Sequence, residues 1–384
     1  MDTPARIESK LPDVGVSVFA VMTRLATEHG AINLSQGFPD FSCDPDLVSA
    51  VHRHMQAGEN QYAPMPGLPA LREALAAKIR RLYGAEYDPA TELTVTSGAT
   101  EAIFDIISAF VRPGDEVILF EPCYDAYVPV VRLNGGTPRF VTLRAPDYRI
   151  DWGEVRRLLT PRTRLLIANS PHNPTGSVLE AGDLRALASA LDGSDVVVLS
   201  DEVYEHIVFD GARHESLARH PALRARTCVV SSFGKTYHTT GWKVGYVAAP
   251  QALTAEIQRV HQFVTFATNT PAQHAYAEFT TRRAHYDDLA AFYQEKRDRF
   301  LELLEGSRFT PVPSRGTYFQ ILDYSAISEE PDAAFALRLL KEHGVAAIPT
   351  SAFLYNSEAP RVLRFCFAKK DDTLEAAAAR LRAV

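Results

Sequence analysis

The chain has 384 residues, 46 % hydrophobic and 23 % charged, which suits two domains, or one large α/β domain with an attachment, rather than a disordered chain. Its formal net charge of −7 gives no electrostatic case for nucleic acid or an anionic membrane as partner. Cys43, Cys123, Cys228 and Cys366 are scattered without a C-x-x-C pair, so free thiols in a reducing, cytoplasmic compartment are expected rather than a disulfide framework.

The opening MDTPARIESKLPD has no apolar core of a secretory leader. No apolar run reaches the roughly 18–20 residues of a membrane span. The first forty residues read as irregular, and residues 1–45 are expected to pack with the C-terminal part. From about residue 92 to 250 short apolar strands alternate with helical stretches. ELTVTSGA leads into the helix-like TEAIFDIISAFV, followed by EVILFEP, PRFVTLR and RLLIANSP. Helix-like DLRALASALDG separates these from DVVVLSDEVY, CVVSSFG and VGYVAAP. Continuous Val/Ile/Leu runs are what strands covered on both faces require, and strand–helix alternation predicts a mainly parallel, doubly wound sheet. After about residue 270 the texture changes. YDDLAAFYQEKRDRFLELLEG reads as a long amphipathic helix ending at Gly306, followed by GTYFQILDYS, AAFALRLLKEHG and VLRFCFAKK. The expected division is a large domain over 46–280 and a smaller α+β domain over 281–384.

In open α/β sheets ligands bind beyond the carboxyl ends of the strands, so the residues after each strand carry the information. The first strand ends in Ser97-Gly98-Ala99-Thr100-Glu101 and a helix follows. That is either an ordinary helix start capped by Thr100 or an anion site made of free N–H groups and the helix dipole. Strand 164–170 runs into S-P-H-N-P-T-G, where two prolines hold His172 and Asn173 in a rigid turn. Strand 195–200 ends at Asp201, a carboxylate that is costly to bury unpaired, with Tyr204 close behind. It is either a helix cap or the acceptor for a protonated ring nitrogen. Strand 227–232 leads to Lys235, and a lysine there has its pKa lowered and its amine made nucleophilic, as a Schiff base requires. Lys243, eight positions on, supplies positive charge for an anion, with Gly241 allowing a turn between. Together these are the needs of pyridoxal 5′-phosphate: a lysine, a carboxylate for the ring nitrogen, donors for the ring oxygen and a phosphate cup.

The combination S-G-A-T, N-P-T-G, S-D-E-V-Y and S-F-G-K-T…G-W-K-V-G resembles the class I pyridoxal-phosphate aminotransferases of fold type I. The resemblance runs from INLSQGFPDF to RVLRFCFAK. Within that family the stretches SQGFPDF, NQYAPMPG and SSFGKTYHTTGWKVGY are most similar to the methionine aminotransferases, with the kynurenine aminotransferase and glutamine transaminase K enzymes alongside.

The resemblance implies roles residue by residue. Lys235 is the Schiff-base lysine and the base that moves the Cα proton. Asp201 pairs with the pyridine nitrogen. Tyr204 and Asn173 bond the ring oxygen. Tyr124, which otherwise reads as a core aromatic, stacks on the ring. The phosphate cup comprises Ser97, Gly98, Ala99, Thr100, Ser232 and Lys243, with Tyr62 reaching across a symmetric homodimer. Arg364 holds the substrate carboxylate, for which a guanidinium fork is suited, and Arg361 is taken as a solvated arginine. Gly37 lines the substrate site and offers its N–H. Phe19, Tyr62 and Phe266 line the side-chain pocket, which favours neutral substrates such as methionine, phenylalanine, leucine or glutamine. Ala267 stands where the kynurenine branch has histidine after the phenylalanine. The implied reaction is a ping-pong transfer of the amino group to a 2-oxo acid. The alternatives are β-elimination from cysteine S-conjugates or kynurenine transamination at the same site.

Two other features stand apart. His52 and His54 form H-x-H on a helix-like stretch, which points them to different sides, so they read as solvated and no metal is expected. His206 reads as packing behind Tyr204. No G-x-G-x-x-G opens a helix, which argues against a nicotinamide enzyme.

Overall fold

The computed structural model describes residues 8–384; residues 1–7, part of the stretch examined for a leader, lie outside the described residues. The N-terminal stretch is not irregular throughout. Helix α1 (Val18–Glu28) forms there, its Ser17 side chain accepting the Phe19 N–H at 3.3 Å. Val18, Met22, Leu25 and Ala26 recur at helical spacing and pack on the core, a short signal surrounded by polar sequence. After α1 come β1 (Ile32–Asn33), α2 (Pro45–Gln56) and α3 (Pro69–Tyr83).

The main sheet is built from β2 (Leu93–Thr96), β3 (Glu116–Glu121), β4 (Thr137–Thr142), β5 (Thr163–Asn169), β6 (Val197–Asp201), β7 (Thr227–Ser232) and β8 (Gly245–Ala248). Helix α4 (Gly98–Phe110) follows β2. The order is β2-β8-β7-β6-β5-β3-β4, parallel except for β8, which is antiparallel to both neighbours. This is the mainly parallel, two-sided sheet that the apolar runs predict. Alternation along each strand feeds two cores. Val117 and Leu119 face α4, while Ile118 and Phe120 face the layer containing Leu184 and Leu187. Only β4, at the edge, shows exposed positions.

The C-terminal part contributes β9 (Thr310–Pro311), β10 (Phe319–Asp323), β11 (Val345–Ala346), β12 (Ile348–Pro349) and β13 (Val362–Cys366). Four of these form an antiparallel sheet in the order β12-β13-β10-β9, while β1 pairs in parallel with β11. The Leu34 carbonyl also accepts the Cys366 N–H at 2.8 Å, so residues 32–37 are held beside β13. The long C-terminal helix spans Leu289–Leu303, with Gly306 at positive φ in the turn after it. Among the described residues no helix is long and apolar enough to cross a membrane.

Candidate active site

The strand register brings the informative residues to one edge. Asn169 lies beside Asp201 on β5 and β6, and Ser232 on β7 lies beside Gly245 on β8, which in turn pairs with Thr96 on β2. The chain then turns over that edge and presents Asn173, Tyr204 and Lys235 three or four residues after the strand ends. A cavity of about 250 Å³ opens there.

Lys235 is carried by the short helical turn Phe233–Thr236. Its Nζ donates to the Tyr318 hydroxyl at 2.8 Å and to the Gly37 carbonyl at 3.1 Å. The Tyr318 hydroxyl donates to the same carbonyl at 2.5 Å. Gly37 therefore faces the lysine with its carbonyl. Burial pulls the Lys235 ammonium down to about 8, with Arg364 and Lys243 adding to the effect.

Asp201 is 4 % exposed and its carboxyl is pushed up to about 6 by burial. Tyr127 donates to its Oδ2 at 2.6 Å and the Val203 N–H approaches Oδ1 at 3.3 Å. Asn169 ties the neighbouring strands together: its Nδ2 donates to the Asp201 carbonyl at 2.8 Å and its Oδ1 accepts the Asn173 N–H at 2.8 Å. Tyr204 lines the cavity beside them, with Tyr318 edge-on at 5.1 Å between ring centroids. Burial raises its phenol well above the ordinary range. Tyr124 also lines the cavity, and burial pushes its phenol up to about 12.

Arg364 comes from the middle of β13 and is 1 % exposed. Its Nη1 donates to Asn173 Oδ1 at 2.8 Å and its Nη2 to the Ser35 carbonyl at 2.9 Å. The guanidinium lies 3.9 Å from the Phe319 ring centroid and 5.2 Å from that of Phe19. Burial lowers it to about 10, and its Nε is buried without a hydrogen-bond partner. A buried guanidinium with an unused donor and no paired carboxylate is built to receive an anion.

At the other end α4 begins. Gly98, Ala99, Thr100, Ser232 and Lys243 line the cavity, and the Lys243 ammonium donates to Thr100 Oγ1 at 3.2 Å. The cup has no room for side chains beneath it. A Cβ on Gly245 would meet Ala99 N at 2.8 Å and Ser231 O at 2.7 Å. The segment between the two lysines turns at His238 and Lys243, both at positive φ, rather than at Gly241 as the sequence suggests. Ser97 stands one step outside the cavity as the residue before α4, its N–H bonded to the Glu101 carboxylate. Thr100 is not the cap.

Two expected residues, Tyr62 and Phe266, do not line this cavity. Tyr62 is 83 % exposed and Phe266 43 % exposed, and their rings meet edge-to-face at 5.6 Å. Arg361 is exposed as expected, and the His206 side chain packs beside Tyr286, with ring centroids 5.0 Å apart, and 3.7 Å from Glu205. Cys123, Cys228 and Cys366 are buried free thiols, whereas Cys43 is only half-buried. Four contributors escaped the sequence reading: Asn169, Tyr127, Tyr318 and Phe319. Asn169 directly precedes S-P-H-N-P-T-G and was within reach of the strand-end logic. Tyr318 and Phe319 come from β10 and its approach, where nothing local marks them.

The cavity thus has an anion cup, a buried carboxylate, an amine and a buried guanidinium. These groups suit the parts of pyridoxal 5′-phosphate: an anion, a protonated ring nitrogen and a carbonyl that an amine can capture. The family described as aminotransferase class I and II matches residues 29–381. The chain is 50 % identical over 382 residues to a methionine aminotransferase of Escherichia coli K12, covering 99 % of each. A crystal structure from that species, of a protein to which a methionine aminotransferase function is attributed, superposes with a TM-score of 0.97, covering 99 % of this chain and 100 % of that one at 50 % identity. Human kynurenine–oxoglutarate transaminase 1 is 34 % identical, with 97 % of each chain covered.

Proposed function

The chain belongs to the aminotransferase class I and II family, whose enzymes depend on pyridoxal 5′-phosphate, and on that premise we propose that it moves the amino group of a neutral, methionine-like amino acid to a 2-oxo acid. The observation that carries this reading is the meeting of Lys235, Asp201 and Arg364 in one cavity. When bound, the cofactor supplies an electron sink for the bond-breaking at the substrate Cα.

The residues divide the remaining work. Lys235 would hold the cofactor and would serve as base toward the substrate Cα proton, for which an amine brought down to about 8 is suited. Tyr318 and the Gly37 carbonyl receive its amine once it is released. Asp201, held by Tyr127, keeps its charge against a ring-nitrogen proton, and that pairing offsets the burial that raises its pKa. Asn173 orients Arg364 with Oδ1 and leaves its amide nitrogen for the ring oxygen, which Tyr204 also reaches. Tyr124 stacks on the ring. The α4 N-terminus, Ser232 and Lys243 take the phosphate. Arg364 clamps the substrate carboxylate.

Specificity follows from charge. Among the described residues, the cations lining the cavity are Lys235, Lys243 and Arg364, and each is already engaged. None is left for a side-chain carboxylate, and Phe19 offers an apolar wall. We read the chain as a symmetric homodimer. Thr100 and Lys243 are exposed, leaving the cup open, while Tyr62 and Phe266 stand exposed and unused in their own subunit. A two-fold arrangement would carry them to the cavity of a second copy. We further propose that the segment 1–45, described from residue 8 on, packs with a small domain 281–384 beside a large domain 46–280, and that the enzyme works in the cytoplasm, where its free thiols are stable.

The test is a single-turnover screen of the twenty amino acids against the holoenzyme, following the cofactor's absorbance and the 2-oxo acid formed. Methionine and other apolar donors should convert the cofactor, aspartate should not, and Lys235→Ala should be inert. A Lys235→Ala protein with full turnover refutes the proposal.

A further inference from the structure

Away from the cavity, three segments converge. His54 near the end of α2, Glu59 in the loop that follows, and His274 on the helix Thr270–Thr280 place one donor atom each within 4.8 Å of the others. His54 Nδ1 is in hydrogen-bond contact with Glu59 Oε2, and His274 Nε2 lies 3.4 Å from the same oxygen. The two imidazoles stack with centroids 4.8 Å apart. On its far side His54 Nε2 meets Glu278 Oε1 at 2.7 Å, and Glu278 is further held by Arg53 at 2.9 Å.

We propose that His54, Glu59 and His274 form a binding site for a borderline divalent cation such as Zn²⁺, bound through His54 Nδ1, His274 Nε2 and the Glu59 carboxylate, with water completing the shell. Glu278 fixes the His54 tautomer. As acceptor of a hydrogen bond from His54 Nε2–H, Glu278 would leave Nδ1 to face the Glu59 carboxylate as a ligand atom. A single proton can bridge one nitrogen to Glu59. A metal satisfies both nitrogens and the carboxylate at once. Tetrahedral sites with bonds of about 2.0–2.2 Å separate neighbouring ligand atoms by about 3.3 Å, so the 3.4 Å between His274 and Glu59 needs little adjustment, while the closer His54–Glu59 contact must open to admit the ion. Two imidazoles and one carboxylate are a borderline, zinc-like donor set rather than one for Ca²⁺ or Mg²⁺. The side chains are 19 %, 38 % and 27 % exposed, which leaves solvent access for the ion. Binding displaces to solvent any proton held between His54 Nδ1 and Glu59. It also clasps the loop leading to Tyr62 onto helix Thr270–Thr280, where Thr270 already bonds the Gln61 carbonyl at 2.6 Å.

The expectation that the H-x-H pair is solvated holds for His52, which is exposed, but not for His54. Helical geometry does separate the two along α2. The partners of His54 come instead from elsewhere in the chain.

The experiment is a titration of chelator-treated, tag-free holoenzyme with Zn²⁺ by equilibrium dialysis, and with Co²⁺ by visible absorption. One ion per chain at micromolar concentration is expected, with intense four-coordinate Co²⁺ bands. His54→Gln and His274→Gln should each abolish uptake, His52→Gln should leave it intact, and Glu278→Gln should weaken it about ten- to a hundredfold. Zinc-dependent changes in the imidazole nitrogen resonances of the unmodified protein provide a readout that no variant's folding can confound. Absence of stoichiometric uptake below millimolar Zn²⁺, or uptake that survives both His54→Gln and His274→Gln, overturns the proposal.

Discussion

Tyr318→Phe isolates the hydroxyl that holds Lys235. The ring keeps its neighbours, Tyr204 at 5.1 Å and Phe319 at 5.0 Å, so the fold should persist. The variant removes one of two hydrogen bonds from Nζ, leaving only the Gly37 carbonyl. Both bonds favour the protonated amine, since each acceptor faces an ammonium hydrogen. A bond from a charged donor contributes about 1.5 kcal/mol, or about one pH unit. Burial, with Arg364 and Lys243, already pulls the lysine down to about 8. Losing the hydroxyl should therefore bring it near ~7. Apoenzyme captures the cofactor only through the unprotonated amine, so the rate of recombination should rise with pH, half-maximal near 8 in the wild type and about one pH unit lower in the variant. The expected effect on turnover is a fall in kcat, because the released amine loses its resting place. A recombination midpoint that stays put or moves upward would show that Tyr318 does not control this amine.

Arg364→Lys keeps a charge but loses the fork, and KM for the amino acid should rise about 10- to 100-fold, corresponding to roughly 1.5–3 kcal/mol, in steady-state kinetics. Gly245→Ala forces a Cβ against the Ala99 and Ser231 backbone, so cofactor affinity and Tm should both fall, the overpacking costing about 1–3 kcal/mol. His261 concerns stability against pH. Burial alone would lower it, but Asp105 and Glu101 outweigh that and hold it at about 9. Its folded-state value is raised, so the stability it contributes is complete below about 6.5 and is lost as pH rises through about 9. Urea denaturation should show that decline in the wild type, while His261→Gln should be weaker at pH 6 and flat over this window. An unchanged slope in the variant would assign the decline to other groups.

His261 also shows how far local reading extends. It joins Glu101, whose other oxygen holds the Ser97 N–H before the anion cup, to the Met65 carbonyl in the loop after Tyr62. Three segments distant in sequence meet on one imidazole, and no short motif announces it. The strand-end residues behave differently. Asn173, Asp201, Tyr204 and Lys235 each stand a fixed few residues after an apolar run, and a parallel sheet must bring such positions to one edge.

By itself, the sequence determined the sheet and the chemistry at its edge. Both depend on short-range facts: continuous apolar runs, rigid proline turns, and charged residues directly after buried strands. Only the tertiary structure decided what reaches that edge from afar. Tyr318 arrives just before β10 and Arg364 in the middle of β13, and the Gly37 carbonyl comes from the segment after β1. It likewise decided that His54 faces Glu59 and His274 instead of solvent. These contacts depend on which surfaces pack together, and packing is set by the whole apolar core, not by the residues that make the contact.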